Sequence, residues 1–128
     1  MRLLLDTNII LWLAAGTLPE KAAPYVLDDA NILLFSPASI WEVVIKRGLN
    51  RADFVVDPIA LYRGLADNGY EELRITGEHA LAVNLLPPLH KDPFDRILLA
   101  QAFSEGIPLM TADAALAQYP VNVIFVGK

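Results

Sequence analysis

Short apolar runs alternate along this chain with stretches of helical pattern, and that alternation restricts the fold more than any other feature. The runs "RLLL" (2–5), "ILLF" (32–35), "IPLM" (107–110) and "VNVIFV" (121–126) have strand length and are bounded by Asn, Pro or Gly. Between them, helical patterns cover about 8–15, 20–29, 38–48, 58–67, 77–85 and 94–105, several opened by Pro or a capping residue and closed by Gly. Strands that alternate with helices predict a parallel sheet covered on both faces, a three-layer α/β/α sandwich with a mainly parallel sheet. The 128 residues suffice for one such domain and are too few for two, so the expectation is a single domain over 1–128. "GLNRADFVVDP" (48–58) reads as a connector, and "YEELRIT" (70–76) as a solvated connector or an edge strand.

In sheets of this kind ligands sit at the carboxyl ends of the strands, where strand order reverses. "LLLDTN" places Asp6 at such an end, and "IPLMTAD" does the same for Asp113. Each also has an ordinary explanation as a helix N-cap. Glu42, in "SPASIWEVVIKRG", has an i+4 ion pair with Lys46 as its ordinary role, yet it shares a face with Ala38, Ser39 and Ile45. In "HKDPFDRILLAQA", Asp92 before Pro93 is a natural N-cap, and Asp95 is positioned to complete a capping box. Asp95 also heads the face continued by Leu98, Leu99 and Ala102, and a carboxylate on a buried face needs compensation.

Four acids that converge would repel and raise each other's pKa unless a cation neutralised them. The chain has no cysteine and only two histidines, without paired spacing, which argues against zinc. Hard oxygen ligands select Mg²⁺ or Mn²⁺. A net charge of −5 argues against a nucleic-acid partner, but setting the four acids aside leaves −1. The 55% hydrophobic fraction contains no run long enough for a membrane span, and part of it is expected in a subunit or partner interface. The leucine-rich start imitates a secretion signal, but Asp6 and Asn8 interrupt it, so it reads as folded structure. The absence of cysteine suits the cytoplasm.

Taken together, "LLLDTNIILWL", "SPASIWEVVIK", "HKDPFDRILLAQA" and "LMTADAAL" resemble the PIN-domain ribonucleases, in particular the VapC-like toxins of toxin–antitoxin pairs, over essentially the whole chain. The resemblance implies a PIN-like fold and metal-assisted hydrolysis of RNA phosphodiesters, leaving 5′-phosphate and 3′-hydroxyl ends. It also implies that Asp6, Glu42, Asp95 and Asp113 are the metal-binding catalytic acids, supported by Thr7, Asn8, Ser39 and Thr111. Mg²⁺, with Mn²⁺ as substitute, is the implied cofactor, and a homodimer with a cognate antitoxin is the implied assembly. Asp92 is an extra acid beside this pattern.

Lys46, Arg47, Arg51, Lys91 and Arg96 are candidates for RNA phosphate contacts, although Lys46 and Arg47 also suit a helix C-terminus. Trp12 and Trp41 are expected in the core, His79 on the surface and His90 in a loop. A haloacid-dehalogenase-like phosphatase needs a second Asp where Asn8 stands, and a receiver-like module wants a lysine after "IPLMT". A catalytically silent PIN-like binding module remains the other alternative.

Overall fold

A computed structural model describes residues 1–49 and 55–127. Chain order is β1 (Arg2–Leu5), α1 (Thr7–Ala15), α2 (Ala23–Leu27), β2 (Ile32–Phe35), α3 (Pro37–Gly48), α4 (Pro58–Asp67), β3 (Glu71–Glu72), α5 (Gly77–Ala82), α6 (Pro93–Glu105), β4 (Leu109–Thr111) and β5 (Val123–Phe125). Single 3₁₀ turns occupy Val83–Leu85 and Leu116–Gln118. The strands form one sheet in the order β3-β2-β1-β4-β5, and every pair is parallel. Strand order reverses at β1, which has β2 on one side and β4 on the other.

Although β1, β2, β4 and β5 are mainly apolar, their side chains alternate between two cores because successive residues of a strand point to opposite faces. Leu4, Leu34 and Leu109 pack with Leu98, Leu99 and Ala102 of α6 and with Ala82 of α5. Leu3, Leu5, Leu33, Phe35 and Met110 pack on the other face with Ile9 and Ile10 of α1, Val43 of α3, and Leu61 and Leu65 of α4. The result is the expected three-layer sandwich.

Several boundaries differ from expectation for local reasons. The helix over 20–29 shortens to α2, with Pro24 in its first turn. Pro108 has no N–H for the ladder, so β4 starts after it and runs on to Thr111. "YEELRIT" supplies a two-residue parallel edge strand. Gly106 ends α6 in the left-handed region, at φ 65°, where a residue without Cβ is unstrained.

Two residues change place. Trp41 lies off the buried face of α3, which carries Ala38, Ser39 and Val43, and is 62% exposed. Its ring meets Phe94 edge-to-face at 5.3 Å. Trp12 does pack against the core. His79, expected at the surface, is buried, because Thr76 and His79 close a capping box at the start of α5 and the other ring nitrogen reaches Glu105 at 3.0 Å.

Candidate metal centre

The acids gather at the carboxyl rim of the sheet. Asp6 follows β1 directly, and its backbone N–H donates to Met110 of β4 at 3.0 Å, continuing the ladder beyond the last paired leucine. Its carboxylate caps α1 by accepting from the Thr7 amide at 2.7 Å, while the other oxygen accepts from the Thr111 hydroxyl at 2.7 Å. The Thr111 oxygen in turn accepts the Asp113 amide at 3.0 Å, so one side chain ties the two rim aspartates together. Asp113 caps only a short turn, accepting from the Ala115 amide at 2.9 Å, where an α-helix had been expected.

Glu42 reaches the same place from α3. One oxygen meets Lys46 Nζ at 3.1 Å, which is the i,i+4 pair foreseen as its ordinary role. The other, Oε1, is buried without a hydrogen-bond partner among the described residues. Behind it, Thr7 Oγ1 donates to Ser39 Oγ at 2.8 Å and fixes the approach of α1 to α3. Asp92 and Asp95 divide as their positions in α6 require. The Asp92 carboxylate accepts the Phe94 amide at 2.9 Å as N-cap. Asp95, one turn in, does not return to the cap; its carboxylate meets His90 Nε2 at 3.0 Å.

These groups line a polar pocket of about 250 Å³ formed by Asp6, Thr7, Asn8, Glu42, Lys46, His90, Asp92, Asp95 and Asp113. All four acids picked out by sequence are there, with Thr7 and Asn8. Ser39 and Thr111 stand behind them.

The electrostatics are those of a crowded, poorly hydrated cluster. Burial pushes Asp95 up to about 7, helped by the charges of Asp6, Asp92, Glu42 and Asp113. Asp6 is also raised, by burial first, with the Thr111 and Thr7 hydrogen bonds pulling the other way and Glu42 and Asp113 adding repulsion. Four carboxylates drawn together, two with raised pKa and a third with a buried orphan oxygen, are a donor set that a divalent cation would complete. The residues therefore fit Mg²⁺ or Mn²⁺.

The basic candidates are less united. Lys46 lines the pocket, whereas Arg47 donates to the Val55 carbonyl at 2.7 Å and Lys91 is exposed outside the lining. Arg96 is a correction: its guanidinium donates to the carbonyls of Pro87, Val83 and Leu86 and to the Tyr119 hydroxyl, holding the loop before α6 rather than facing the pocket. Arg51 lies outside the described residues. The expectation of a site with no imidazole is also corrected, since His90 enters it. Its only sequence signal was that a Pro-fixed cap turns the preceding loop back over the first turn of the helix, where Asp95 stands.

A parallel α/β/α sandwich with a carboxylate pocket at its topological switch point has its polar site where open parallel sheets place their ligands. This chain belongs to the PIN domain family, whose profile matches residues 3–122. Its fold is similar to a chain of VapBC2 from Rickettsia felis bound to a DNA fragment from the promoter, with TM-score 0.69, 17% identity, and 98% of this chain and 97% of that chain covered. DNA-bound VapBC from Salmonella typhimurium gives TM-score 0.69 at 15% identity, covering 98% of each chain. VapBC-1 from nontypeable Haemophilus influenzae gives 0.65 at 21% identity, covering 92% of this chain and 91% of that one. No curated protein matches the sequence significantly.

Proposed function

We propose that this chain, folded as a single PIN-like domain over residues 1–128, is a metal-dependent endoribonuclease and the VapC-like toxin of a toxin–antitoxin pair. The observation that carries this reading is the convergence of Asp6, Glu42, Asp95 and Asp113, from four separate elements, on one pocket with an unmet need for positive charge. Those four hold Mg²⁺ or Mn²⁺. The bound cation supplies Lewis-acid neutralisation of phosphoryl oxygens and a lowered pKa for the attacking water.

The rest falls to the chain's own groups. Thr111 and the Thr7 amide fix the Asp6 carboxylate from both sides, so the fold itself sets the orientation in which it would hold a cation. Ser39 and Thr7 set the distance between Asp6 and Glu42, and Asn8 stands in the lining with an amide for the substrate. Lys46 at the pocket and exposed Lys91 near it offer charge to the RNA backbone. An apolar groove of about 420 Å³ between α1 and α4, lined by Leu13, Leu61 and Leu65 among others, offers an antitoxin segment a seat, and two copies form a homodimer. Among the described residues no helix is long and apolar enough to cross a membrane, and we assign the protein to the cytoplasm.

The test is incubation of purified protein with a mixed RNA pool in Mg²⁺, in Mn²⁺ and in EDTA. Cleavage is expected only with metal. Undiminished cleavage in EDTA by contaminant-free protein would sink the metal mechanism, and no cleavage under any condition would favour a silent binding module.

A further inference from the structure

His90 stands in the pocket with no part in the chemistry proposed above. Its Nε2 lies 3.0 Å from Asp95 Oδ2 and 3.8 Å from Asp113 Oδ2, and one atom of each residue falls within a 4.8 Å span. This is close to the spacing of ligands around a single ion, where octahedral bonds of about 2.1 Å put adjacent ligand atoms about 3 Å apart. An imidazole at such a place would ordinarily be read as a ligand. Its other nitrogen argues otherwise. Nδ1 accepts the backbone N–H of Asp92 at 3.3 Å, so the proton of the ring sits on Nε2 and points at the carboxylates. A nitrogen that carries a proton has no lone pair for a metal.

We propose that His90 is a positioning residue for the cation. It donates Nε2–H to Asp95 and draws Asp113 toward the same hydrogen, holding together two carboxylates that repulsion would otherwise separate. Asp95 arrives on α6 and Asp113 on the loop after β4, so neither element fixes the distance between them. The ring is fixed by the loop instead: Asp92 caps α6 with its side chain and orients His90 with its amide. His90 thus acts on metal affinity through Asp95 without touching the metal, as hydrogen bonds to ligating carboxylates do at other metal sites. The inference rests on the metal-site reading above.

The test measures Mn²⁺ binding in the absence of RNA, by calorimetry and by the EPR signal of free Mn²⁺, for the wild type, His90→Ala and His90→Gln, each checked for folding by circular dichroism. His90→Ala should bind Mn²⁺ on the order of 10–100-fold more weakly, and His90→Gln, whose amide N–H replaces the donor, should stay within about threefold of wild type. Pulsed EPR of the Mn²⁺-loaded wild type should detect no directly bound nitrogen. Equal affinity for wild type and His90→Ala overturns the proposal, as does a Gln variant as weak as the Ala variant. A ligand-strength nitrogen coupling overturns it in favour of direct coordination. A wild type that binds no Mn²⁺ overturns the metal reading and this inference with it, whereas a wild type that binds Mn²⁺ no better than His90→Ala overturns this inference alone.

Discussion

The two ends of α6 each set a carboxylate against a histidine, and the two pairs have the same length. Glu105, in the last turn, meets His79 Nε2 at 3.0 Å, while Asp95, in the first turn, meets His90 Nε2 at 3.0 Å. Their surroundings differ. His79 is buried with each ring nitrogen engaged, Nδ1 accepting the Thr76 amide at 3.1 Å. Beside it the Gln101 amide donates to the Leu73 carbonyl at 2.9 Å, so that end joins α5 and the β3 edge to α6 through polar contacts that are nearly all satisfied. Among the described residues, only the neutral Gln101 Oε1 lacks a partner there. Asp95 instead stands among four other acids and is pushed up to about 7. A carboxylate–histidine pair therefore serves cohesion at one end, while at the other it belongs to a crowded acidic cluster, which on the metal reading proposed above costs stability until a cation arrives.

The largest effect expected from this contrast is on catalysis. Asp95→Asn should lower RNA cleavage on the order of 100-fold or more, since it removes a charged group that we propose as a metal ligand. Glu105→Gln, the matching change at the other end, should leave cleavage per folded molecule unaltered. An equal loss in both, measured on an RNA substrate in Mg²⁺, would dissolve the distinction.

The second expectation runs the other way. His79→Ala removes a buried side chain with its hydrogen bonds and should cost about 2 kcal/mol, lowering the melting temperature by roughly 5–10 °C, with cleavage by the folded fraction intact. Asp92→Ala should cost about 1 kcal/mol through the lost cap, as read from urea denaturation, and should affect cleavage far less than Asp95→Asn. Smallest is Lys46→Ala, expected to reduce the slope of log binding affinity against log salt by about 0.7 for single-stranded RNA. An unchanged slope would assign Lys46 wholly to its ion pair with Glu42.

Much of this was legible in the sequence where the chain's periodicity fixes direction. Asp6 and Asp113 end apolar runs of strand length, and parallel sheets present such ends on one rim. Asp95 could be told from Asp92 because Pro93 fixes the cap and Leu98, Leu99 and Ala102 mark the buried face. The rest depends on tertiary contacts that periodicity does not encode. Arg96 looked like a phosphate ligand until the carbonyls around Val83–Pro87 were seen to occupy it. Trp41 looked like core because Trp usually is, yet it sits beyond the packed face of its helix. His79 was expected at the surface and is buried by a capping box, while His90 stays in its loop but is turned by that loop into the pocket.

If the acidic pocket is destabilising when empty and completed by a cation, as proposed, one comparison of melting temperatures shows it directly. Above an ordinary carboxylate pKa of about 3.9 the unfolded chain has lost the Asp95 proton. The folded chain holds it up to about 7. The native state thus binds more protons between these values, so the penalty from Asp95 grows as pH rises from about 4 and is complete above about 7. At pH 8 in EDTA, Asp95→Asn should melt a few degrees above wild type, and that advantage should shrink at pH 5. With millimolar Mn²⁺ at pH 8 the order should reverse, because the ion stabilises the wild type by binding only its folded state and the variant has lost a ligand. A wild type that melts above Asp95→Asn in EDTA, or an order that metal leaves unchanged, would contradict the account.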